Sequence, residues 1–105
     1  MDKFVNQVIS LSKSIDYSQD AIVSKIIYKS DHTILTLFAL AEGQSIAEHV
    51  TPFDAQVQVL EGKAELVIGG EKKIVKAGES IIMPANVAHA LFAKQAYKML
   101  LTMMK

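Results

Sequence analysis

Gln56-Val57-Gln58-Val59-Leu60-Glu61-Gly62-Lys63-Ala64-Glu65-Leu66-Val67-Ile68-Gly69-Gly70-Glu71-Lys72-Lys73-Ile74-Val75 is the stretch whose reading settles how this chain folds. Residues 56–59 alternate polar and apolar, the period-two pattern of a strand with one buried face. Glu61-Gly62-Lys63 turns the chain into a second apolar run over 64–68. Gly69-Gly70 then reads as a two-residue hairpin turn, because both residues tolerate the positive φ such turns demand. The chain returns through Glu71 to Val75. Two successive hairpins of short strands are the start of an antiparallel sheet.

The same pattern continues outward in both directions. Upstream, residues 22–28 and 33–40 are rich in β-branched and aromatic residues, and Ser30-Asp31-His32 between them reads as a turn. Downstream, Ala77-Gly78-Glu79 precedes a short strand over 80–83. Pro84-Ala85-Asn86 is a bend in which Asn86 accepts a left-handed backbone. Two further strands are expected over about 88–93 and 97–103. Residues 4–14 are ambiguous, since Phe4, Val5, Val8, Ile9 and Leu11 suit a short helix or an irregular arm equally. Many short strands separated by turns predict an all-β barrel or sandwich with an enclosed pocket.

Length and composition narrow the possibilities. The 105 residues fit one domain. Half the chain is hydrophobic and the mean hydropathy is +0.25, more apolar surface than one small barrel easily hides. A homodimer is therefore expected, with residues 1–20 forming an N-terminal arm that reaches the partner and 21–105 forming the barrel. Eleven basic residues balance eleven acidic ones, and they are interspersed, so no nucleic-acid footprint exists. No apolar stretch is long enough to span a membrane, and the first residues lack the uninterrupted apolar run of a secretory signal. A cytoplasmic location is the expectation. With no cysteine, thiolate metal sites, disulfides and cysteine nucleophiles are excluded.

Three histidines are the side chains suited to proton transfer or metal binding near neutral pH. His32 reads as an exposed turn residue. His49 ends an expected strand that follows Gly43, and His89 follows Pro84 in a similar setting. Without further context, both are equally read as satisfied polar residues near a barrel mouth. The methionines read as core or interface filler, and no glycine-framed serine resembles a nucleophile elbow.

Gly43-Gln44-Ser45-Ile46-Ala47-Glu48-His49-Val50-Thr51-Pro52-Phe53-Asp54-Ala55-Gln56, closing at Gly62, resembles the first motif of the cupin superfamily. Gly78-Glu79-Ser80-Ile81-Ile82-Met83-Pro84-Ala85-Asn86-Val87-Ala88-His89-Ala90-Leu91-Phe92-Ala93 resembles the second. The resemblance runs from about Ala21 to the end of the chain and implies a double-stranded β-helix, or jelly-roll barrel, of the small single-domain bacterial type. It implies a metal site less clearly. Family members with metal use two histidines and a glutamate from the first motif and a histidine from the second. His49 and His89 match the first and last of these. Thr51 stands at the second histidine, Ala93 at the second motif's terminal asparagine, and Ala55 or Gln56 at the glutamate. Alternation favours Ala55 as the inward residue, unless a bulge near Pro52-Phe53 turns Gln56 inward.

Two functional readings follow. In one, His49 and His89, helped by Gln56 or a water, hold one divalent ion (zinc, nickel, copper, iron or manganese), and the protein is a metal-assisted oxygenase, isomerase or decarboxylase. Imidazole suits zinc, nickel and copper better than iron or manganese. Asp54 adds a carboxylate if it too faces inward. In the other, the barrel holds no metal and binds a small molecule as a ligand carrier or sensor, with one histidine free to act as acid or base. The expected ligand-contacting residues are Thr51, Gln56, Phe38, Met83 and Phe92, and Val57, Val59 and Leu91 join them in an apolar wall.

Overall fold

The structure, a computed structural model, describes residues 4–105. Nine strands follow in order: β1 (Ile22–Lys29), β2 (Thr33–Leu40), β3 (Ser45–His49), β4 (Asp54–Glu61), β5 (Lys63–Ile68), β6 (Glu71–Lys76), β7 (Ser80–Met83), β8 (His89–Phe92) and β9 (Tyr97–Met104). The Gly69-Gly70 turn takes the positive φ expected of it, 57° and 82°, and sets Ile68 opposite Glu71 in the β5–β6 hairpin. Asn86 sits in the left-handed region at φ 65°.

All strand pairs are antiparallel, and they form two sheets. One has the order β1-β2-β9-β4-β7 and the other β3-β8-β5-β6. The fold is thus the expected all-β jelly roll. Strand alternation carries Val57 and Val59 of β4, Ala64 and Leu66 of β5, Leu91 of β8 and Met99 of β9 into one core between the sheets. Leu40, Leu66, Val57 and Tyr97 have no exposed surface, and each such apolar side chain contributes about 1.5–3 kcal/mol by leaving water.

A second apolar cluster lies on the other face of the five-stranded sheet. Ile27, Leu37, Ala39 and Leu100 pack there against Ile15, with Phe4, Ile9 and Leu11 above them. The apolar N-terminal segment, expected to reach a partner because one barrel had no place for it, therefore has a place on its own sheet. Met1, Asp2 and Lys3 of the expected arm lie outside the described residues. From Phe4 to Ala21 the segment consists of turns and extended chain, so of the two expected forms it is the arm and not the helix. Short-range pinning explains how it stays down without regular structure. The ammonium of Lys98, itself buried, donates to the Ser12 carbonyl at 2.6 Å, and Lys25 donates to the Ser14 carbonyl at 2.6 Å. The Tyr17 hydroxyl donates to Glu61 at 2.8 Å, and its ring lies 5.1 Å from the Lys98 nitrogen. Among the described residues no helix is long and apolar enough to cross a membrane.

Candidate functional site

The two motif histidines meet. His49, the last residue of β3, pairs with His89, the first of β8. Regular alternation alone does not bring them to one side. Ile46 and His49 are three residues apart, and on a regular strand an odd separation puts two side chains on opposite faces. The β3–β8 ladder breaks register between Ile46 and His49, and this bulge turns both inward. On β8, His89 and Leu91 are two apart and need no such device.

Each ring is held from behind. The Nδ1 of His49 lies 2.9 Å from the Ala47 carbonyl, and the Nδ1 of His89 lies 3.2 Å from the Val87 carbonyl. A carbonyl oxygen only accepts, so each Nδ1 carries the hydrogen and donates it. The two Nε2 atoms then face each other at 3.0 Å, with ring centroids 4.3 Å apart and planes inclined at 69°. Two lone pairs do not hold such a contact by themselves. It is favourable when the pair shares a positive species, either a proton on one Nε2 or a metal ion between them. His89 is almost fully buried at 4% exposure, while His49 stands at the exposed rim.

Behind the pair lies a cavity of about 180 Å³. Its other walls are Phe38, Ile46, Met83, Leu91, Met99 and Leu101. Of the expected ligand residues, Phe38 and Met83 line it. Leu91, expected in the apolar wall, does so too, whereas Val57 and Val59 belong to the packed core. Ile46, Met99 and Leu101 were not singled out in the sequence. Met99 and Leu101 alternate with buried neighbours on β9 and look like ordinary core until the fold shows which end of the barrel is unfilled.

Three expected site residues lie elsewhere. Gln56 faces away from the cavity: β4 pairs regularly from Asp54 to Val59, Ala55 is the buried residue, and the Gln56 amide donates to Ser80 Oγ at 3.4 Å. The one irregularity of β4 falls between Val59 and Glu61, too late to turn Gln56 inward. Phe92 is 41% exposed, because on β8 it alternates with the inward-facing Leu91. Thr51 uses its hydroxyl locally, donating to the Phe53 carbonyl at 3.1 Å. Its own carbonyl accepts the Asn86 amide at 2.7 Å, which ties together the two loops that carry the histidines. Asp54 is also occupied, since one carboxylate oxygen accepts the Ala85 amide at 2.8 Å. His32 is exposed in its turn, and its carbonyl accepts the Lys105 amide.

The residues present do not fit the family's four-ligand divalent centre. That centre draws on three imidazoles and a carboxylate, and here the cavity offers two imidazoles and no carboxylate. Among the described residues no group of three or more His, Cys, Asp or Glu side chains gathers at all.

Comparison with known proteins agrees with the fold. The Cupin_2 family model, a cupin domain, matches residues 36–103. A crystal structure of a conserved protein of unknown function from Streptococcus pyogenes is similar at 37% identity and TM-score 0.89, over 95% of this chain and 88% of that one. A Cupin 2 conserved barrel domain protein from Leptotrichia buccalis is similar at 35% identity and TM-score 0.89, over 92% of this chain. This chain spans only 47% of the Leptotrichia protein. A polyketide cyclase from Streptomyces resistomycificus shares the fold alone, at 22% identity and TM-score 0.73, over 81% of this chain and 66% of that one. No curated protein matches. With residues 36–103 matched by the family model and both motif histidines paired at the mouth of the barrel, this chain belongs to the cupin family.

Proposed function

We propose that this chain is a small-molecule-binding barrel whose one polar contact is the His49–His89 pair. The observation that carries the reading is that pair at the mouth of an otherwise apolar cavity. Pockets for drug-sized ligands run to about 300–1,000 Å³, and an apolar cavity of roughly 150 Å³ takes a benzene-sized guest. The ligand is accordingly small, with an apolar body and a single polar head. With the hydrogen of each ring on Nδ1, the Nε2 atoms accept, which favours an acidic, hydrogen-donating head. Metal-assisted catalysis of the family kind has less support, because the third and fourth ligands are missing. The homodimer and the cytoplasmic location expected from composition remain part of this proposal. Val8, Ile26, Tyr28 and Met104 leave apolar surface exposed that a second copy would cover.

The test is ligand-observed NMR on chelator-treated protein with a panel of small aryl and alkyl acids, alcohols and amines. Acids with compact apolar bodies should bind, and His89→Ala should abolish that binding while Gln56→Ala and Phe92→Ala leave it unchanged. Binding that survives in His89→Ala would place the ligand elsewhere and sink the reading.

A further inference from the structure

We infer that the metal ion this site accepts is cuprous copper, held by His49, His89 and the thioethers of Met83 and Met99. The inference rests on the reading that the histidine pair is the polar centre of the barrel, and it is independent of any organic occupant. Two imidazole Nε2 atoms converge at 3.0 Å, and both rings are oriented from behind by backbone carbonyls, the arrangement that fixes histidine ligands around metals. The remaining donor atoms in the cavity wall are sulfur: Met83 and Met99 are 3% and 1% exposed and line the same space as the histidines. Methionine side chains turn about three bonds, so the sulfurs are able to swing toward an ion at the pair.

Charge decides between metals. Every donor here is neutral, and the rest of the wall is apolar. The cost of moving an ion into a low-dielectric site grows as the square of its charge, so a divalent ion without a carboxylate carries about four times the penalty of a monovalent one. Asp54, the carboxylate considered from the sequence, is engaged by the Ala85 amide. Hard ions such as magnesium, calcium and manganese need oxygen ligands that are absent from the cavity wall. Soft thioethers together with imidazole select Cu(I). The exposed position of His49 gives the ion a way in.

The experiment uses the whole chain, stripped with chelator and kept anaerobic, in competition with bicinchoninate for Cu(I), and in parallel with Zn(II). One Cu(I) per chain should be retained against the probe, with zinc bound at least roughly a hundredfold more weakly on the softness of the donors. X-ray absorption of the copper-loaded protein should show sulfur as well as nitrogen in the first shell. The Met83→Leu/Met99→Leu double variant, close to volume-conserving, should keep the fold and lose at least roughly tenfold in Cu(I) affinity. A copper shell with nitrogen alone, unchanged affinity in the double variant, or zinc binding as tight as copper would overturn the assignment. The unmodified protein's absorption spectrum decides even if the variants fail to fold. Loss of copper binding with retained capture of small acids overturns this inference alone. Copper binding without capture of any small molecule overturns the proposed function alone.

Discussion

Replacing Gly62 and Gly70 by alanine separates backbone strain from steric exclusion in one experiment. Both glycines sit at nearly the same φ, 78° and 82°, so an alanine at either position carries a similar left-handed penalty of about 1–2 kcal/mol. Their surroundings differ. A Cβ on Gly70 meets nothing within 4 Å, whereas a Cβ on Gly62 falls 2.5 Å from the Ala96 carbonyl oxygen and 2.8 Å from Tyr97 Cβ. Those atoms belong to the entry of β9, which is hydrogen-bonded between β2 and β4 and cannot retreat without breaking a ladder. Overpacking of this kind adds about 1–3 kcal/mol. Gly70→Ala should therefore cost about 1–2 kcal/mol and Gly62→Ala about 2–5 kcal/mol. With a urea slope of roughly 1.5 kcal/mol per molar, midpoints fall by about 1 M for Gly70→Ala and by about 1.3–3.3 M for Gly62→Ala. Equal midpoints for the two variants, with unchanged slopes, would refute the claim that close packing at the start of β9 holds the barrel's register. Because Met99 and Leu101 of that strand line the cavity, Gly62→Ala should also weaken small-acid capture, and Gly70→Ala should not.

Tyr97→Phe should stabilise the protein by about 1 kcal/mol, because the buried Tyr97 hydroxyl finds no hydrogen-bond partner among the described residues. A calorimetric melt that moves down instead would mean the hydroxyl has found a partner in solution. Alkaline pH should release the N-terminal arm before the barrel unfolds. Burial, and then the hydrogen bond and charge of Glu61, push the Tyr17 phenol well above its ordinary range. A raised value means the folded state favours the protonated phenol, so its contribution is complete below about pH 10 and is lost as pH climbs beyond it. Limited proteolysis of the arm at stepped pH follows this, and Tyr17→Phe should remove most of the dependence. An arm equally protected at pH 8 and at pH 11 in the parent protein would contradict it.

The strands were legible in the sequence because alternation and turn residues are local properties. The period-two run at 56–59, the double glycine at 69–70 and the left-handed Asn86 each state their conformation without reference to distant parts of the chain. The same logic favoured Ala55 as the inward residue while Gln56 stayed open as a ligand residue; Ala55 is the buried one, since parity along β4 is intact up to Val59. The resemblance to the two cupin motifs also singled out His49 and His89 as the candidate residues. Three things needed the assembled fold. Whether His49 faces inward depends on a bulge between Ile46 and His49, one extra residue that reverses parity and that no local signal announces. Phe92 points outward because β8 presents His89 and Leu91 to the cavity, a choice set by which strands flank it. The fate of the apolar N-terminal segment turned on a sheet face built from β1, β2 and β9, strands distant in sequence and adjacent in space. Local backbone preference is written residue by residue, and so the sequence by itself determined the elements and the two histidines. Which side chains share a cavity depends on long-range register, and that only the tertiary structure decided.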